Sequence, residues 1–337
     1  LVNAIVNAKT IGEYAFENCT SLNNITLENT IDILEGAFKN CAGLVNVVSN
    51  TVKNIADYAF TGCKNIESIS FDNVENIGNY AFGTLDTQAA NKLTEINFGD
   101  NLNTIGEYAF YGSTLVTNIK LGKGILSIGA FAFSNLTSLE TVTINSDLET
   151  ISECLFANDA LLKEANISGI KVVEGGAFMN CSLLETIDLK DATIIGMEAF
   201  SGCLGLTSVD LSSVKVLEAG AFLTCNNLTN VTLKVVERIE TQALSCIGVT
   251  EIKLPATIEY IAPTAFYYNV NMTKFTDLFG VDTCDVNYYV KLDNGVLYTV
   301  TANNKLLLTS YPTNKDLKTY EVLFNTVDDL KQTACDI

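Results

Sequence analysis

The chain has 337 residues, 48% hydrophobic and 18% charged, far from the composition of a disordered segment. Its 20 Lys and Arg stand against 39 Asp and Glu, a formal net charge of −19, with Arg238 the single arginine; a phosphate backbone finds no basic footprint here, and anionic membrane surfaces are disfavoured for the same reason. Histidine is absent, which removes Ser-His and Cys-His nucleophile pairs and the commonest general base, so the chain is expected not to be an enzyme.

Phenylalanine recurs at Phe16, Phe38, Phe60, Phe82, Phe110, Phe133, Phe156, Phe178, Phe200 and Phe222. Leu244 and Phe266 continue the series, at steps of 22 or 23 residues with one exception of 28. A unit this short cannot bury its own apolar face, so each must stack on its neighbours, and the predicted fold is a repeat solenoid of about twelve coils. Around Phe38 the apolar slots are Ile33, Ala37, Phe38, Cys41, Leu44 and Val47; far downstream they are Ile195, Ala199, Phe200, Cys203, Leu206 and Val209. After each Phe the pattern alternates, as in Leu22-Asn23-Asn24-Ile25-Thr26-Leu27-Glu28. Alternation at period two predicts a half-buried strand, one per coil, building a parallel sheet with Ile25 and Leu27 inward and Asn24, Thr26 and Glu28 outward.

In the 28-residue step the extra length falls mostly in Gly83 to Ala90, which predicts a loop on one edge of the solenoid. Repeats ending at Phe110, Phe133, Phe156 and Phe266 carry one more residue between strand and following Ile, a widened turn. The chain opens and closes inside repeats without a polar capping unit, so a segment of a longer protein, or one with covered ends, is expected.

Of ten cysteines, Cys19, Cys41, Cys63, Cys181, Cys203 and Cys225 lie three residues after the repeat Phe, and Leu85 and Leu136 fill that slot elsewhere. Neighbouring rungs about 4.8 Å apart hold parallel Cβ atoms beyond the ~3.5 to 4.5 Å of a disulfide, so buried free thiols are expected. Cys154 takes a slot used by Tyr14 and Tyr58; Cys284 and Cys335 lie off the ladder, and a disulfide, if any, is expected at Cys284. Without close Cys pairs or histidine, neither zinc nor any other cofactor is called for.

Two surfaces are candidates for binding. The first is the outward face of the strands, mostly small and polar, on which the selected residues are Thr141, Thr143, Asn166, Thr186, Asp188, Ser208, Asp210, Asn230 and Thr232. Asp188 and Asp210, on adjacent rungs, could meet the spacing of a glycosidase pair, but a solvated sheet face is the expected reading. The second is a column of Tyr14, Tyr58, Tyr80, Tyr108 and Phe131, at a slot that Gly36, Gly176 and Gly220 hold in other repeats. Rings covering the adjacent coil and an exposed adhesive ridge both fit that pattern.

The segments Ile11-Gly12-Glu13-Tyr14-Ala15-Phe16-Glu17-Asn18-Cys19 and Ile105-Gly106-Glu107-Tyr108-Ala109-Phe110 resemble the BspA-like leucine-rich repeats of surface proteins in bacteria and some protists. The resemblance covers roughly residues 1 to 276 and implies a right-handed β/α superhelix at the cell surface or outside the cell. It also implies adhesion to, or recognition of, a protein or glycan ligand such as host extracellular matrix, host cells or neighbouring microbes. A passive spacer, or an intracellular scaffold in keeping with free thiols, is the alternative. No apolar run reaches the roughly 18 residues of a membrane span, and no secretory leader opens the chain.

Residues 277 to 325 look like the hairpin-bearing insert such arrays carry, with Asp293-Asn294-Gly295 as a tight turn. Residues 326 to 337 align with Thr51 to Phe60 and restart the array, with Cys335 in place of Phe.

Overall fold

The computed structural model describes residues 2–83, 90–246, 248–282, 284–287, 290–300 and 306–310. Most coils have one strand of four or five residues, such as Asn24–Glu28, then a two-residue strand, such as Asp32–Ile33; in one coil the first strand shortens to Thr186–Ile187. The alternation expected from sequence is present: Asn24, Thr26 and Glu28 are exposed while Ile25 and Leu27 are buried. The chain divides into two compact units, residues 1–170 with 176–187, and residues 171–175 with 188–337.

In the first unit the strands Asn3–Asn7, Asn24–Glu28, Asn46–Ser49 and Ser68–Phe71 form one parallel sheet. Glu95–Phe98, Asn118–Leu121, Thr141–Ile144, Glu164–Ile167 and Thr186–Ile187 form a second. The sheet breaks at the 28-residue step; the predicted edge loop there falls largely on residues 84–89, outside the described residues. Two-residue strands from Thr10–Ile11 to Ser127–Ile128 make a ladder of their own, so each coil contributes two parallel strands rather than the single one expected.

The second unit repeats the pattern: Ser208–Leu211 pairs with Asn230–Leu233, Glu251–Leu254 with Lys274–Asp277, and a two-residue ladder runs from Val172–Val173 to Tyr260–Ile261. An antiparallel sheet of Cys284–Asp285, Val290–Asp293, Val296–Val300 and Leu306–Ser310 follows. Its tight turn is at Asn294 and Gly295, both with positive φ (46° and 71°), as the Asn-Gly signature of a two-residue hairpin demands. The expected restart of the array at 326–337 lies outside the described residues.

No helix occurs among the described residues, so the return arm of each coil differs from the helical one that a β/α superhelix implies. Tyr14, Phe16 and Asn18 donate their N–H groups to Glu35, Ala37 and Lys39 of the next coil, at 2.8 to 3.0 Å. The intervening Ala15, Glu17 and Cys19 donate back three residues within their own coil. A return this short, made helical, would leave most of its N–H and C=O groups without partners. Alternating between neighbouring coil and local turn satisfies them instead, and it requires positive φ at Tyr14 (53°) and Asn18 (59°).

The core is built around the repeat phenylalanines, stacked ring on ring: Phe16 on Phe38 at 5.1 Å and Phe38 on Phe60 at 5.1 Å in the first unit, Phe200 on Phe222 at 5.1 Å in the second. Phe38, Phe60, Phe200 and Phe222 are buried. Each such ring contributes roughly 1.5–3 kcal/mol by burial. Beside the stack the cysteines are free: Cys19, Cys41, Cys63, Cys154, Cys181, Cys203, Cys225 and Cys246 form no disulfide. The thiols of Cys41, Cys63, Cys181, Cys225 and Cys246 donate to the carbonyls of Phe16, Phe38, Phe156, Phe200 and Phe222 at 2.9 to 3.1 Å. In these coils the thiol fills the slot as a small apolar group with one donor. The side chain of Cys284, and Cys335 altogether, lie outside the described residues.

Candidate functional site

In the first unit, the outward side chains of the sheet meet rung by rung. Thr141 lies opposite Asn118 and Glu164, Thr143 opposite Lys120 and Asn166, and Glu164 opposite Thr186. Thr141 and Thr143 are half-buried, whereas Asn166 and Thr186 are exposed. Thr141 Oγ1 donates to Asn118 Oδ1 at 3.2 Å. Nearer the start of the chain the face is more self-contained. Asn24 donates to Asn3 and Asn46 to Asn24, both at 2.8 Å, and Ser68 donates to Asn46 at 3.0 Å. Such amide ladders satisfy one another along the sheet.

In the second unit Ser208 sits opposite Asn230 and Asp210 opposite Thr232, all four exposed. The two carboxylates considered for catalysis are occupied locally. Asp188 accepts from Lys190 Nζ at 2.7 Å and from the Lys190 N–H at 3.2 Å, bonds that hold its carboxyl below the usual range. Asp210 accepts the Ser212 N–H at 3.0 Å and the Ser212 hydroxyl. These are turn-capping contacts at the ends of strands, the ordinary reason for Asp in such a place.

Asn230 and Thr232 also line a cleft of about 560 Å³, together with Thr250, Glu251, Lys253, Lys234 and Leu278. It lies where the parallel sheet is interrupted: Asn230–Leu233 pairs on one side with Ser208–Leu211, Glu251–Leu254 pairs with Lys274–Asp277, and no ladder joins the two pairs. One residue is missing beside it. Elsewhere a residue with positive φ stands two places after the repeat Phe, as at Asn180 (62°), Gly202 (78°), Thr224 (60°) and Tyr268 (64°). Cysteine follows it in three of these repeats. After Leu244 the left-handed residue is gone: Cys246 comes two places on rather than three, and its N–H closes directly on Leu244 O at 3.0 Å. The count is restored by one extra residue at Pro255-Ala256, after the strand. The flanking two-residue ladder is unaffected, since Arg238 still pairs with Tyr260. The strand between deletion and insertion pairs with Lys274–Asp277. This signal was legible in the spacing of Leu244 and Val249, five residues against six in every other repeat but the 28-residue one, but the cleft beside it was not anticipated.

The aromatic column is stacked: Tyr58 on Tyr80 at 5.3 Å, Tyr80 on Tyr108 at 4.7 Å and Tyr108 on Phe131 at 4.7 Å, all within 8° of parallel. Its residues have φ between 53° and 58°, and Gly36, Gly176 and Gly220 share the sign, which explains why glycine holds the slot in other coils. Left-handed backbone at a bulky residue costs about 1 kcal/mol, and stacking of each pair offsets a similar amount. A Cβ on Gly36 would stand 2.4 Å from the Tyr14 ring, so that ring lies over the next coil, and its hydroxyl bonds to Glu35, which raises its pKa to about 12. Within the column the ring faces are turned to one another, which favours the covering role.

These features define a leucine-rich-repeat solenoid with a polar sheet face. The sequence profile of the BspA-type leucine-rich repeat region matches residues 2–89, 87–193 and 171–289, and the chain belongs to that family. Among solved structures it is similar to a leucine-rich repeat protein from Bacteroides ovatus, at 22% identity over 81% of this chain and 92% of that one, with a TM-score of 0.39. A leucine-rich cell surface protein from Faecalibacterium prausnitzii is similar at 20% identity over 82% and 79%, with a TM-score of 0.42. A leucine-rich repeat protein from Eubacterium ventriosum is similar at 19% identity over 82% and 85%, with a TM-score of 0.42. No curated protein matches significantly.

Proposed function

We propose that this chain is a non-enzymatic recognition module of the cell surface that binds a protein or glycan of a host or a neighbouring microbe through the outward face of its sheets. The observation that carries this reading is the register of Ser208 with Asn230 and Asp210 with Thr232, a preorganised polar surface that runs into the cleft. Rigid presentation limits the entropy lost on binding, and contacts on several coils add up. Family membership supports the surface location.

The self-bonded asparagines Asn3, Asn24 and Asn46 favour a second reading, a passive spacer, for the opening coils. Solid-phase binding to immobilised matrix proteins and glycans separates the two. The recognition reading expects saturable binding that is lost when Ser208, Asn230 and Thr232 are each replaced by Tyr. Binding to nothing in the panel would leave the spacer.

A further inference from the structure

The interrupted sheet in the second unit has a lining whose chemistry is specific. Asn230, Thr232 and Thr250 bring an amide and two hydroxyls to its wall, a set that bonds readily to sugar hydroxyls. Lys234 and Lys253 lie at the same cleft, both exposed, and neither is in an ion pair among the described residues. Two ammonium groups thus share one cleft in a chain of net charge −19. The one carboxylate of the lining, Glu251, already accepts the Thr276 hydroxyl at 2.9 Å.

An apolar wall completes the set. Leu278 lines the cleft, and Phe279 beside it is 93% exposed. Their loop is held firmly: Asp277 Oδ1 accepts the N–H groups of Phe279 and Val281 at 2.9 and 2.8 Å, and Asp277 N–H donates to Val281 O at 2.9 Å. A firmly held loop thus presents Leu278 beside the hydrogen-bonding groups and cations of the lining. The volume, about 560 Å³, lies in the usual range of small-ligand sites.

We propose that the cleft between Asn230–Leu233 and Glu251–Leu254 binds a carboxylated sugar residue of a glycan chain. Lys234 and Lys253 take the carboxylate, Asn230, Thr232 and Thr250 the hydroxyls, and Leu278 the apolar face of the ring. The missing left-handed residue after Leu244 is what creates the site. The proposal rests on the recognition reading above and gives it a ligand class.

Isothermal titration of the full chain with a galacturonic acid tetrasaccharide, its methyl ester and a galactose tetrasaccharide tests this. Saturable binding of the acid, with the ester and the neutral sugar at least about tenfold weaker, is expected, and Lys234→Gln and Lys253→Gln should each weaken it about tenfold. An asparagine inserted between Ser245 and Cys246, which restores the common turn length, should close the ladder and abolish binding while the thermal transition is retained. No binding of the acid, equal binding of its ester, or undiminished binding in the insertion variant overturns the proposal. If immobilised panel ligands still bind the double lysine variant but not the Tyr variant, the recognition reading survives while the cleft assignment falls.

Discussion

Asp159 occupies the slot that cysteine holds in six other coils, and it is fully buried. Its Oδ1 accepts the Leu136 N–H at 2.7 Å while Oδ2 has no hydrogen-bond partner, and burial pushes its carboxyl well above the usual range. The folded chain therefore holds a proton that the unfolded chain, with a value of about 3.9, releases. Stability from this group is present below that value and is lost as pH rises toward the folded one. Asn269, at the equivalent slot of another coil, shows the better solution: it accepts the Cys246 N–H at 2.7 Å and donates to Leu244 O at 2.9 Å. Asp159→Asn should gain roughly 1–3 kcal/mol at pH 7 and little at pH 4, measured by urea unfolding at the two pH values.

The thiols offer a second residue-scale test. Burial raises the Cys225 thiol to about 12, so at pH 8 almost none is thiolate and its alkylation is slow. Cys19 and Cys154 are only half-buried. Of the eight described thiols, iodoacetamide on the native chain should label these two first, and mass spectrometry should find Cys41, Cys63, Cys181, Cys203, Cys225 and Cys246 modified only after denaturation.

At the scale of the element, the Phe stack and the turn ladder hold the coils together. Phe222 packs on Phe200 in a buried column, and Phe222→Ala should cost about 3–5 kcal/mol in chemical unfolding, because neighbouring coils cannot close the gap without moving their own ladders. Gly248 makes a different demand. A Cβ there would stand 2.6 Å from Leu228 O and 2.9 Å from Asn226 O, both backbone atoms, so Gly248→Ala should lower the melting temperature. The long strands were legible from Asn24-Ile25-Thr26-Leu27-Glu28 because alternation reports which side chains are buried. The return arm was not, since its hydrogen bonds alternate between a neighbouring coil and its own and leave neither a helical nor a strand period in the sequence. The one clue was glycine sharing a slot with tyrosine, at Gly36 against Tyr14, the mark of a left-handed residue.

At the scale of the whole molecule the charge dominates. With −19 and only five ion pairs among the described residues, like charges repel along the surface. Raising salt from about 0.01 M to about 0.15 M shortens the screening length from roughly 30 Å to 8 Å, and the melting temperature should rise with it. Binding of a carboxylated glycan at Lys234 and Lys253 should weaken over the same range, so the two trends oppose each other.

The recurrence of Phe16 through Phe266 and the alternation after each were enough to determine a stacked parallel solenoid, because a unit of 22 residues has no other way to bury its apolar face. They also located the polar face and the thiol ladder, since both follow from slot and period. Where the ladder breaks was a matter for tertiary structure. One residue lost after Leu244 and one gained at Pro255-Ala256 leave the period intact, and only pairing in three dimensions shows that the strand between them forms no ladder with its neighbour on one side, where a cleft lies.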